Sequence, residues 1–118
     1  MPLSARNADG LPRPLTLFPW RLLRIQGQSM SPALEDGDYA VVRRLHAHKP
    51  LSVGDIVSFD HPDFGSAVKR IKKLRGEMVM LEGLAKRSVE SDQIGWVPKA
   101  HVNGRLVWRI APSRLSRI

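Results

Sequence analysis

Turn-forming residues cut this chain into runs too short for ordinary helices. The breaks fall at Asp36-Gly37-Asp38, Lys49-Pro50, Val53-Gly54-Asp55, His61-Pro62-Asp63, Arg75-Gly76-Glu77 and Asn103-Gly104. Short apolar runs bounded by Gly, Pro, Asn and Asp read as strands. Strands are expected over Leu22–Ile25, Tyr39–Arg43, Ile56–Phe59, Ala67–Leu74, Met78–Glu82 and Arg105–Ile110. Asn103-Gly104 and Arg75-Gly76-Glu77, each between apolar runs, favour hairpins. No strand–helix–strand alternation occurs, which argues against a parallel α/β sheet. One short helical turn is expected over Ser31–Leu34, with Ser31 as its cap and Pro32 at the first helical position. The expected fold class is therefore mainly β, compact and antiparallel, with that one turn. No internal repeat or low-complexity tract is evident.

A chain of 118 residues allows one domain. It is long enough to bury a core without disulfides or a structural metal. It has no cysteine. That excludes a disulfide framework, a thiol nucleophile, a thiolate zinc site and an iron–sulfur cluster. Residues 1–20 are rich in proline and read as an irregular arm that packs Phe18 and Trp20, with Leu22 and Leu23, on the core. The alternative is an apolar patch that touches a membrane surface or a partner. The domain proper is expected over residues 21–111, and 112–118 as a tail. The apolar stretch Leu15–Trp20, followed at once by Arg21 and Arg24, is far short of the roughly 20 residues that a membrane span requires. Nor does the N-terminus carry the basic start and continuous apolar run of a signal peptide. A soluble, cytoplasmic protein is expected, with peripheral membrane contact left open.

The net charge is +8, from 19 Lys plus Arg against 11 Asp plus Glu. Such a balance permits nucleic acid or an anionic membrane as partner. The densest cluster is Lys69, Arg70, Lys72, Lys73 and Arg75. No helix-turn-helix, zinc-finger or RNP-like pattern accompanies it, and no aromatic residue interleaves with it. It reads as a solvated strand face, and no nucleic-acid partner is expected. His46-Ala47-His48 offers two imidazoles without a carboxylate at fixed spacing, so it reads as a loop and no metal is expected. Met78 and Met80 share a strand face and read as core.

Two segments carry chemistry. Gly27-Gln28-Ser29-Met30-Ser31-Pro32 lies between a strand and the expected turn. A serine there sits beside main-chain N–H groups suited to stabilising an oxyanion, although serines that merely cap turns are common. In Ala67-Val68-Lys69-Arg70-Ile71, strand alternation puts Ala67, Lys69 and Ile71 on one face. If that face is buried, desolvation disfavours the Lys69 ammonium and lowers its pKa. A neutral amine then takes a proton from a serine hydroxyl. The alternative is a strand lysine whose head reaches water.

The two segments belong to a longer ordered pattern. Gly27 to Leu34 is followed by Gly37-Asp38-Tyr39-Ala40-Val41-Val42, Gly54-Asp55-Ile56-Val57, Val68-Lys69-Arg70-Ile71 with Arg75-Gly76-Glu77, and Ser88 to Gly95 with Trp96-Val97-Pro98. In this order and spacing the sequence resembles the signal peptidase I family of Ser–Lys peptidases. The resemblance implies the signal-peptidase/LexA-like β-fold, with Ser29 as nucleophile, Lys69 as general base and the main-chain N–H of Ser29 in the oxyanion hole. It implies Ser88 as the hydroxyl that orients the Lys69 amine, and substrate contacts at Gln28, Met30 and Pro32. It implies no cofactor, and a precursor protein or leader peptide as substrate. The chain departs from the family at Gly27, where some members have a serine. It departs at Gly83-Leu84-Ala85, where the family has Gly-Asp-Asn, and at Glu90 and Asp92, where it has an Asp–Arg pair.

Within the family, the short length and the runs Gly54–Val57 to His61-Pro62 and Gly104–Arg109 resemble the nickel-type superoxide dismutase maturation peptidases. That subgroup removes a leader from the dismutase precursor, and the nickel belongs to the substrate. Two other expectations stand beside it. One is a signal peptidase docked on a membrane surface. The other is a LexA-like self-cleaving domain, although residues 1–28 contain neither an Ala-Gly nor a Cys-Gly cleavage dipeptide. A non-enzymatic binding module with a vestigial pair is the reading outside catalysis.

Overall fold

The computed structural model describes residues 16–17, 19–46, 49–61, 65–84, 95–112 and 114–118. They form one sheet of nine strands in which every pair is antiparallel. The strands are β1 (Thr16–Leu17), β2 (Trp20–Arg24), β3 (Tyr39–Arg44), β4 (Ile56–His61), β5 (Gly65–Arg75), β6 (Met78–Glu82), β7 (Trp96–Pro98), β8 (Val102–Ala111) and β9 (Arg114–Arg117). Their spatial order is β1-β2-β3-β8-β4-β5-β6-β7, with β9 on β8. The late strand β8 thus joins the two halves of the sheet: β3 runs along one edge, and β4 and then β9 along the other. Residues 114–117, read from sequence as tail, form a strand.

β4 lies at the centre and is buried on both faces. Alternate strand residues point to opposite sides. Ile56 joins a cluster with Ile25, Met30, Leu34, Ala40, Val42 and Leu106. Val57 and Phe59 join the other, with Ile71, Val79, Leu81, Val97 and Val102. Each large apolar side chain withdrawn from water contributes about 1.5–3 kcal/mol, so these clusters hold the halves together. Ser58, the polar residue of this run, is buried, and its Oγ accepts from Arg21 Nη2 at 3.0 Å.

Three local expectations change. Asn103-Gly104 is not a hairpin turn; both residues lie inside β8. Gly104 is there because a Cβ would sit 2.7 Å from the Arg43 carbonyl oxygen and 2.7 Å from a Val42 methyl. The glycine serves close strand approach, not reversal. On β6 the buried residues are Val79 and Leu81, while Met78 and Met80 are only half-buried on the other face. After Ser29, Leu34 N–H donates to the Met30 carbonyl at 3.0 Å, which closes one turn without a helix. Ser31 does not cap it: its hydroxyl donates to Glu35 Oε2 at 3.2 Å. By contrast, Arg75-Gly76-Glu77 does connect paired strands, with Gly76 at φ 56°.

Candidate active site

The Ser29 segment leaves β2 through Gly27, whose φ of 83° favours glycine. Gly27 N–H donates to Asp36 Oδ1 at 2.8 Å, and Ser31 N–H to the Gln28 carbonyl at 3.0 Å. Met30 is 3% exposed and Leu34 fully buried, so both act as apolar anchors below the turn. Ser29 is half-buried between them and the surface, while Gln28 and Pro32 are exposed. Of the three residues expected to touch substrate, only Met30 is a core side chain.

The segment is fixed at its far side by Asp38, which is buried. Asp38 Oδ2 accepts Glu35 N–H at 2.9 Å and Arg109 Nε at 2.7 Å. Bonds from a guanidinium to a carboxylate are charge-assisted and among the strong ones. The main chain of Asp38 and Gly37 grips the strand end before the serine. Ile25 N–H donates to the Asp38 carbonyl at 2.7 Å, and Gly37 N–H to the Ile25 carbonyl at 2.8 Å.

Lys69 sits on β5 opposite Val57 and is 3% exposed. Its face carries Ala67 and the fully buried Ile71, both packed in the cluster around Phe59. The lysine thus occupies one apolar side of this strand. The rest of the basic run is not a plain solvated face either. Arg70 makes a two-pronged contact to Glu82 Oε2, at 2.7 and 3.0 Å, and Arg75 stacks 4.9 Å from the Trp96 ring. Lys72, Lys73 and Arg75 are exposed, as the solvated reading expects.

One main-chain bond links the serine turn to the lysine hairpin. Leu84 N–H donates to the Ser29 carbonyl at 2.6 Å. Leu84 follows β6, the strand whose Glu82 lies opposite Arg70. Val68 and Leu84 also pack against the cluster that contains Met30. Ser88, Glu90, Asp92 and the neighbouring Arg87 lie outside the described residues, as does His48. Among the described residues no group of three or more His, Asp or Glu is placed to hold a metal.

Sequence reasoning missed a second clamp and the arginines of both, Arg109 and Arg105. Asp55 Oδ2 accepts Ser52 N–H at 2.8 Å and Arg105 Nε at 2.9 Å. Arg105 Nη2 also donates to the carbonyls of Lys49 and Pro50. The available signal was the repeated Gly-Asp dipeptide at 37–38 and 54–55.

A sequence model of the family described as signal peptidase, peptidase S26 matches residues 14–87, more than half of the chain. The chain belongs to that family. The matched segment includes both Ser29 and Lys69 and ends just before Ser88. No curated protein matches the chain. No helix among the described residues is long and apolar enough to cross a membrane. A signal-peptidase-type serine peptidase is what this membership makes of the chain, and such an enzyme acts on a protein substrate.

Proposed function

We propose that this peptidase uses Ser29 as nucleophile and Lys69 as general base to remove an N-terminal leader from a precursor protein. The observation that carries the reading is the bond from Leu84 N–H to the Ser29 carbonyl. It brings the serine turn to the exit of the hairpin that holds the buried lysine. Burial at Lys69 penalises the ammonium, so the amine is kept available as a base. The amine takes the Ser29 hydroxyl proton as Oγ bonds to the scissile carbonyl carbon. The main-chain N–H of Ser29 faces the oxyanion. The Lys69 ammonium then protonates the leaving amine as the C–N bond breaks. Water, deprotonated by Lys69, releases the acyl group and restores the serine. Ser88 orients the amine, and the exposed Gln28 and Pro32 flank the substrate chain.

The proposed substrate is the nickel superoxide dismutase precursor, a choice supported by the sequence resemblance at Gly54–Val57 and Gly104–Arg109. Purified wild-type and Ser29→Ala proteins are mixed with that precursor and the product N-terminus is read by mass spectrometry. A single Ser29-dependent cut supports chemistry and substrate together. A cut of equal yield in Ser29→Ala removes the nucleophile assignment, and no cut by wild type removes this substrate.

One observation favours a second setting for the same chemistry. The outer face of β2, β3, β8 and β9 aligns Arg24, Tyr39, Ile110 and Leu115 in one row, and Leu22, Val41, Trp108 and Arg117 in the next. Tyr39, Trp108, Ile110 and Leu115 are exposed. Guanidiniums lie over the aromatic rings, Arg43 at 4.8 Å from Trp20 and Arg117 at 5.8 Å from Trp108. No acid interrupts these rows. Aromatic and cationic residues together suit an anionic bilayer surface. Flotation with anionic but not neutral liposomes, lost in Trp108→Ala, supports a membrane-docked peptidase; no flotation excludes it.

A further inference from the structure

The two Gly-Asp turns are one device used twice. In the first, Gly37 and Asp38 exchange main-chain bonds with Ile25, as described. In the second, Gly54 N–H donates to the Ile71 carbonyl at 2.9 Å and Ile71 N–H to the Asp55 carbonyl at 2.8 Å. Both glycines have positive φ, 90° and 97°. In both turns the aspartate accepts the N–H of the residue three before it, Glu35 or Ser52. In both it is held by Nε of an arginine on β8, Arg109 or Arg105. The first device grips the entry to the Ser29 turn. The second grips the strand just past Lys69. One strand therefore supplies the outer support of both elements.

We propose that Arg109 is a positioning residue for the Ser29 turn, acting through Asp38; this rests on the Ser29–Lys69 reading above. The turn enters at Ile25 and leaves at Glu35, and the main-chain and side-chain atoms of Asp38 hold these two ends. The Asp38 side chain is 4% exposed. A carboxylate so buried needs a partner to stay charged in place. Arg109 supplies it, and its Nη1 lies 3.5 Å from the Pro32 carbonyl, at the limit of a hydrogen bond. A lysine would keep the charge but not the directed Nε. Loss of the clamp lets the turn move relative to Lys69, and small displacements of a reacting group are costly to rate.

The test compares wild type, Arg109→Lys and Asp38→Asn. Hydrogen exchange is followed at the Ser31 and Leu34 amides of the turn, with the Ile71 amide of the second clamp as internal reference. Turnover of the dismutase precursor is measured below the thermal midpoint of each variant. The expected result is exchange at least tenfold faster at Ser31 and Leu34 with Ile71 unchanged. With it, kcat falls at least tenfold and KM stays within twofold. Unchanged turn exchange, equal acceleration at Ile71, or wild-type kcat in a folded variant overturns the proposal. If wild type cleaves nothing, this precursor is not its substrate, and the exchange data alone decide the clamp. Asp38→Asn keeps the shape of the side chain and serves if Arg109→Lys does not fold.

Discussion

Leu84 N–H donates to the Ser29 carbonyl at 2.6 Å, so the chain leaving the lysine hairpin is bonded directly to the residue assigned as nucleophile. A glycine or alanine at 84 retains that N–H; a proline removes it. Leu84→Pro is therefore expected to lower activity strongly, and Leu84→Ala more mildly. Equal kcat/KM in the two variants would show that the bond does not matter for catalysis.

Lys69→Arg should be as damaging as Lys69→Ala, because a guanidinium stays protonated near neutral pH and cannot serve as base. Steady-state cleavage of the precursor checks this. Substantial turnover in Lys69→Arg would rule out the mechanism.

The pH dependence follows from the same group. The proposed mechanism makes the pKa of the buried Lys69 amine the one that governs activity. Only the deprotonated form is a base, so kcat/KM rises with pH through that pKa and is lost on acidification. A profile of kcat/KM against pH reads the limb. Its persistence in the residual activity of Lys69→Ala would assign it to another group.

Asp55→Ala leaves Arg105, whose side chain is 6% exposed, without its carboxylate. Stranding a buried charge in this way costs about 3–5 kcal/mol. Urea unfolding should show a loss of that order; a midpoint equal to wild type would show that Arg105 finds other support.

Gly104→Ala places a Cβ against the Arg43 main chain, which cannot give way as a side chain would. Overpacking of this kind costs about 1–3 kcal/mol. Thermal unfolding checks it, and an unshifted midpoint would mean that β3 and β8 separate without penalty.

Much of the fold was legible because it is written in local chemistry. Gly76 and Gly54 mark turns, and the six expected strands formed within a few residues of their expected bounds, while β1, β7 and β9 were not foreseen. The buried side of β5 was left conditional, since apolar Ala67 and Ile71 flank Lys69 on one face while apolar Val68 lies on the other. The face of β6 was not legible, because Met78 and Met80 are as apolar as Val79 and Leu81. Only the partners across the sheet, Ile71 and Val97, decide which pair turns inward. Gly104 misled for a similar reason: a glycine required by a neighbouring strand looks like a turn glycine in one dimension. The clamps were hidden by distance, with Asp55 and Arg105 50 residues apart and Asp38 and Arg109 71 apart. Ser29 and Lys69 were assigned from pattern and stand as a proposal, while the arginines that hold their supporting turns were not legible in it.

The place of β8 in the chain has a consequence for the order of assembly. A nascent polypeptide that has emerged only as far as Ala100 already contains Ser29, Lys69 and Ser88. It lacks both guanidiniums and the strand that unites the two halves of the sheet. The residues proposed to carry the chemistry are thus synthesised before the strand that supports them.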